Sequence, residues 1–133
     1  HCISSAASDV YKRQPLDNLF PKCKNAGTSI ICGGPFNSGV LVGREMWNYA
    51  KAPQTVIEKA NALRKVADEF NIPLAAAALQ FPQANKIVSS VIPGPRSKDE
   101  LVEILKWQRT EIPIEFWNSL KERKLLRADA PTP

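Results

Sequence analysis

Twice in this chain a short β-branched run stops against a glycine- or proline-rich loop, and each time a helix-forming segment lies downstream. The first run is "TSIIC" at 28–32, halted by "GGPFNSG" at 33–39. The second is "KIVSSVI" at 86–92, halted by "PGPRS" at 93–97. β-Branched residues suit strands, whereas glycine and proline end them. Strands alternating with helices predict an α/β fold with a parallel sheet. In such a sheet every strand ends on the same side, and that side is where ligands bind. The pattern therefore predicts that two unusual loops face one way.

The segments between them read as helices. "LDNLFPKCKNAG" at 16–27 has the character of the last turns of a helix, with Gly27 as its stop. Thr55 and Glu58 form a T-x-x-E pattern that predicts a capping box for the next helix. There Val56, Ala60, Leu63, Ala67 and Phe70 recur at helical spacing and define one apolar face, ended by Asn71 and Pro73. "LAAAALQF" at 74–81 has four alanines and no β-branched residue, which favours a buried helix over a strand. "KIVSSVI" has the opposite composition and is expected to be a buried or nearly buried strand. Ser97 and Glu100 make a second capping box, ahead of Leu101, Val102, Ile104 and Leu105. Pro113 suits the first turn of a last helix carrying Phe116, Trp117, Leu120 and Leu125. "REMWNYAKAP" at 44–53 reads as an irregular connection.

Two strands leave both edges of a parallel sheet open, and such sheets need cover on both faces. The simpler account is a piece of a larger α/β domain, with apolar surface left uncovered. The first fourteen residues, "HCISSAASDVYKRQ", show neither helical nor strand period. They resemble translated sequencing adapter, so residues 1–14 are read as a foreign leader and 15–133 as the partial domain.

Composition narrows the function classes. No apolar run reaches the roughly 18 residues of a membrane span. The formal charge is +5, with the densest basic cluster at Lys121, Arg123, Lys124 and Arg127. Glu122 interrupts that cluster and no aromatic residue is interleaved, which describes a solvated helix face rather than a nucleic-acid groove. The cysteines Cys2, Cys23 and Cys32 are odd in number and form no CxxC pair. They read as reduced thiols of a cytoplasmic protein. His1 is the single histidine, at the terminus, which argues against a histidine-based metal site or a serine–histidine triad within the chain.

The two loops carry the chemistry. Gly33, Gly34 and Gly39 let backbone N–H groups approach a ligand, and Asn37 and Ser38 add short donors. Ser97 opens a helix whose N-terminal N–H groups and dipole favour an anion. Arg96 adds a fork of donors suited to phosphate oxygens. Together they suggest a phosphate-bearing ligand stretched across both loops, although neither contains a G-x-G-x-x-G or Walker pattern. Read singly, each loop is first a plain turn and Ser97 a plain N-cap; their agreement in position brings the binding reading level with the plain one.

"GGPFNSGVL", "AAAALQFP", "SSVIPGPRS" and the ending "LLRADAPTP" occur in this order. They resemble the aldo-keto reductase family, in its aldose-dehydrogenase branch (D-threo-aldose, L-fucose, L-galactose and pyridoxal dehydrogenases). The resemblance covers residues 15–133. It implies an NAD(P)-dependent oxidoreductase on a (β/α)8 barrel, of which this chain is the C-terminal part, about strands 7 and 8 with their helices. It places Gly34, Pro35, Phe36, Asn37, Ser38, Gly39 and Leu41 along the cofactor pyrophosphate. It places Pro93, Gly94, Arg96 and Ser97 around the adenosine ribose and its 2′ substituent, where Arg96 tilts the choice between NADP and NAD towards NADP. Pro95 stands where a small residue is common in the family. The family often has an adenine-binding asparagine at the position of Ile104.

The family's catalytic tyrosine, lysine, aspartate and histidine come from the first half of the barrel. Tyr11 and Tyr49 do not match the catalytic motif, and Tyr49 with Trp47 reads as part of a loop over the site or as surface packing. The chain alone is therefore expected to be inactive, its parent oxidising an aldose or similar hydroxyl. A freestanding nucleotide-binding module is the alternative, and a basic interaction protein acting through 121–127 ranks third. No nucleic-acid or membrane partner is expected.

Overall fold

The computed structural model describes residues 2–4, 15–43, 46–47 and 50–133. In chain order the elements are β1 (Cys2–Ser4), α1 (Phe20–Asn25, entered through a wide π-helical turn at Pro15–Leu19) and β2 (Ile30–Gly33). A short 3-10 turn at Asn37–Val42 leads to β3 (Met46–Trp47) and β4 (Ala50–Lys51). Then come α2 (Gln54–Glu69), α3 (Leu74–Gln80), β5 (Val88–Ile92), α4 (Lys98–Arg109) and α5 (Ile114–Glu122).

The main sheet has the order β1-β2-β5, and both pairings are parallel. β2 and β5 are the two expected strands. The third, β1, falls within residues 1–14, which the sequence reading set apart, and pairs Cys2–Ser4 with Ile31–Gly33. Three residues are too short to show a period in sequence, but an open strand edge offers unpaired N–H and C=O groups to any extended neighbour. The connection expected to be irregular contains instead the small antiparallel ribbon β3–β4.

The helical expectations hold, with local corrections. α1 stops at Gly27, which takes φ 63° while the Thr28 N–H returns to the Cys23 carbonyl at 2.9 Å. α2 begins two residues earlier than the T-x-x-E pattern implied. Pro53 is its N-cap, already at φ −58°, and its carbonyl accepts from the Val56 and Ile57 N–H groups. Thr55 thus lies inside the helix and caps nothing, while Glu58 accepts from the Gln54 amide at 3.2 Å. The predicted stripe is real: Val56, Ala60, Leu63 and Ala67 are buried, and Phe70 is partly so at the helix end. In α3 all six residues from Leu74 to Leu79 are buried, so small alanines let this helix sit deep.

The core lies between α2, α3 and α5. Phe116 and Trp117 are almost fully enclosed, with ring centroids 5.0 Å apart. Phe70 meets Phe116 edge to face at 5.9 Å, and Phe81 stacks on Trp117 at 6.0 Å. Removing Phe116 as an Ala would cost about 3–5 kcal/mol, the usual range for a buried aromatic. Leu125 lies beyond α5, past Lys124, whose positive φ of 57° ends the helix.

The sheet is covered unevenly. Ile30 and Cys32 of β2 are buried, while Ile31 between them is 42% exposed. The register pairs Ile31 with Ser90 and Gly33 with Ile92, so Ile31 and Ile92 point to the same face. Ile92 is 53% exposed, and Ser89 and Ser90 are exposed as well. The expectation of a buried β5 is therefore corrected: the strand forms, but its second face has no cover among the described residues. Leu101, Val102 and Leu105 of α4 are exposed too, and of the four apolar residues expected on that helix only Ile104 is buried. None of the described helices is long and apolar enough to cross a membrane.

Candidate cofactor site

Because β2 and β5 are parallel neighbours, their C-terminal ends lie side by side. Gly33 is opposite Ile92, and the Gly34 N–H donates to the Ile92 carbonyl at 3.0 Å. The loops at 34–43 and 93–97 thus leave the sheet at one level, roughly one strand spacing of ~4.8 Å apart. The structure brings together the two groups of site residues that the sequence placed in separate loops.

The first loop is built on its backbone. Gly34 has φ 60°, a conformation that side chains resist, and a Cβ built there would meet nothing within 4 Å. Pro35 is almost fully buried and pins the loop to the protein. The Phe36 carbonyl accepts from the Gly39 N–H at 3.0 Å and the Leu41 N–H at 3.4 Å, which closes the turn. Val40 and Leu41 then enter the core, so Leu41 anchors the loop from beneath. Only the backbone of Asn37 and Ser38 is described, in the 3-10 turn, and their side chains lie outside the described part.

The second loop opens α4. Pro93 is half-buried, whereas Gly94, Pro95, Arg96 and Ser97 are exposed. Gly94 has φ 68° and, like Gly34, open space where a Cβ would be. Ser97 is the N-cap as expected, its Oγ accepting from the Glu100 N–H at 3.1 Å. The return half of the capping box is shifted by a residue: the Glu100 carboxylate accepts from the Arg96 N–H at 2.7 Å. Asp99 and Glu100 already complement the helix dipole in its first turn. An incoming anion therefore shares this helix start with two carboxylates, and Arg96 supplies the local positive charge. Two open left-handed glycines, an exposed arginine and a helix N-terminus thus lie near the ends of the paired strands, an arrangement that can receive an anion. Ile104, where the sequence resemblance places an asparagine, is buried, and its aliphatic side chain has no hydrogen-bonding group.

Away from this face, both arginines of the basic cluster are paired with carboxylates. Arg123 makes a two-pronged contact with Glu69 at 2.9 and 2.6 Å, and its guanidinium holds the Glu69 carboxyl below the usual carboxylate range. Arg127 binds Asp129 at 2.8 and 2.7 Å and Asp17 at 2.7 Å, and these carboxylates raise its own pKa further. Cys23 and Cys32 are both buried. No metal-holding group of side chains occurs among the described residues. His1, Tyr11 and Tyr49 lie outside the described residues, and only the backbone of Trp47 is described, in β3.

Sequence reading missed the support of the two loops. The Phe36 ring meets Trp107 of α4 edge to face at 5.4 Å and 74°. The Gln80 amide donates to the Trp107 and Thr110 carbonyls, both at 2.8 Å, and so caps the far end of α4. Gln83 and Gln108 bond each other reciprocally beside it. These partners are far apart in the chain, and no local pattern signals them.

A family model described as the aldo/keto reductase family matches residues 4–124. Pyridoxal 4-dehydrogenase of Microbacterium luteolum is 37% identical over 112 residues, which is 81% of this chain and 33% of that protein. D-threo-aldose 1-dehydrogenase of a Pseudomonas species is 29% identical over 120 residues, 86% of this chain and 35% of that protein. The chain thus spans about a third of the length of these curated relatives. Among solved structures, an aldo-keto reductase of Bacillus halodurans in its holo form superposes with a TM-score of 0.63 at 23% identity. That match covers 91% of this chain and 41% of the other, so the α/β fold described above is a portion of the barrel of that fold. On this match over most of its length, the chain belongs to the aldo/keto reductase family.

Proposed function

We propose that this chain supplies the nucleotide-binding part of an NAD(P)-dependent oxidoreductase whose parent oxidises an aldose or a similar hydroxyl. The observation that carries the reading is the Gly34 N–H to Ile92 carbonyl bond, which sets the two loops edge to edge at the ends of parallel strands. Membership of the family and the names of the two dehydrogenases support the reaction class. A bound nicotinamide would supply the hydride chemistry. The chain's own residues bind and orient: Gly34 and Gly94 keep backbone open to phosphates, and Arg96 with Ser97 marks the adenosine end. Arg96 favours a 2′-phosphate by charge, so NADP is preferred over NAD. The Arg96 side chain is exposed.

The tyrosine, lysine, aspartate and histidine of catalysis are assigned to the rest of the parent, and the chain alone is inactive in this reading. The open face bearing Ile31 and Ile92 belongs against that missing part. In this reading residues 1–14 are a leader foreign to the parent, and β1 fills the β2 edge that a strand of the parent would take. The parent acts on a small molecule in the cytoplasm.

The test is equilibrium titration of the chain with NADPH and NADH at two salt concentrations. Arg96→Ala should weaken NADPH about threefold to tenfold, the value of one charge-assisted contact at an exposed site, and leave NADH nearly unchanged. Equal loss for both cofactors would remove Arg96 from the 2′ subsite, and no binding by the folded chain would defeat the reading.

A further inference from the structure

We propose that Trp107 is a positioning residue for the dinucleotide site, acting through Phe36 on the shape of the glycine-rich loop. The inference rests on the cofactor reading above and adds to it a residue outside both loops.

Phe36 is the hub of the first loop. Its carbonyl receives the Gly39 and Leu41 N–H groups, so the turn follows wherever the Phe36 backbone goes. The loop is firmly held on either side, at Pro35 and at Val40 and Leu41, all buried. Between those anchors, the Phe36 ring packs on Trp107 at 5.4 Å in an edge-to-face geometry. Such pairs contribute beyond their buried area because the positive ring edge meets a negative ring face.

Trp107 is itself held. The Gln80 amide bonds its carbonyl and that of Thr110, fixing the last turn of α4 against buried α3. The first turn of the same helix begins at Ser97, on the second loop. One rigid helix of 12 residues therefore carries the adenosine-side loop at its start and braces the pyrophosphate-side loop near its end. Ordering a loop before ligand arrives lowers the entropy lost on binding, which is how a residue that touches no ligand raises affinity.

The test uses the 133-residue chain with Trp107→Ala, Trp107→Phe and Phe36→Leu. Amide exchange at Gly39 and Leu41 reports the turn, exchange in α2 reports the core, and an NADPH titration reports the site. Trp107→Ala should speed exchange at Gly39 and Leu41, leave α2 unchanged, and weaken NADPH about fivefold, the scale of one aromatic pair. Trp107→Phe keeps a ring for Phe36 to meet and should restore both readouts. Phe36→Leu keeps bulk without the ring edge and should reproduce the faster exchange at Gly39 and Leu41, and that readout decides the matter if Trp107→Ala unfolds. Unchanged exchange at Gly39 and Leu41 would overturn the proposal, as would faster exchange with unchanged NADPH affinity. Wild-type chain that binds no NADPH would remove the cofactor reading and this inference with it, whereas wild-type binding with unaffected variants would remove the inference alone.

Discussion

Gly27 and Gly34 form a matched pair of probes for the site. Both hold a left-handed backbone, at φ 63° and 60°, and at both a Cβ would meet nothing within 4 Å. Alanine at either position should therefore cost only the backbone term, about 1–2 kcal/mol for an L-residue held in that region. Their places differ. Gly27 precedes β2, at the end of the sheet away from the loops, whereas Gly34 follows β2 beside Ile92. A methyl group on Gly34 would project into the space assigned to the dinucleotide and displace a charge-assisted contact there, worth about 1.5–3 kcal/mol or at least tenfold in affinity. Urea unfolding followed by tryptophan fluorescence should show equal destabilisation of Gly27→Ala and Gly34→Ala. NADPH titration, corrected for the folded fraction, should show the loss for Gly34→Ala alone. If Gly34→Ala binds as wild type does, or if both variants lose affinity equally, the assignment of this face is wrong.

Other parts of the molecule give independent checks. Lys124 adopts φ 57° where α5 ends, with the Leu125 N–H returning to the Leu120 carbonyl at 2.9 Å, so Lys124→Gly should raise the unfolding free energy by about 1 kcal/mol in urea. Replacing Ile31 and Ile92 by Ser should reduce self-association in sedimentation while changing stability little, because both side chains are already exposed. Arg123 holds the Glu69 carboxyl below its ordinary value, so the pair's contribution is present above that ordinary value and fades as acid carries the pH down through the folded pKa. The Tm difference between wild type and Arg123→Gln should accordingly be largest near neutral pH and shrink on acidification; a difference constant with pH would remove the ion pair as its cause.

Some features were legible in the residues because they depend on neighbours in the chain. The α2 stripe follows from helical geometry alone, the Ser97 cap from a hydroxyl three residues before an unpaired N–H, and the end of α1 from the one residue type that tolerates left-handed backbone without cost. The Thr55 pattern misled because a capping box competes with proline, and Pro53 had already fixed the φ that starts a helix. The burial of β5 was misjudged because composition reports how well a strand forms and is silent on whether anything lies against it.

The sequence by itself thus determined the two strands, the loops that stop them and the helix that Ser97 opens, all of them short-range consequences of backbone preference. It also carried the family motifs, residue by residue. Tertiary structure alone decided that Gly34 bonds Ile92, that Phe36 rests on Trp107, and that Gln80 closes the end of the helix beginning at Ser97. Those contacts join residues 27 to 71 positions apart, and they exist because parallel pairing of β2 with β5 carries two distant loops to the same edge. No local preference encodes that edge; the packing of the whole core behind it does.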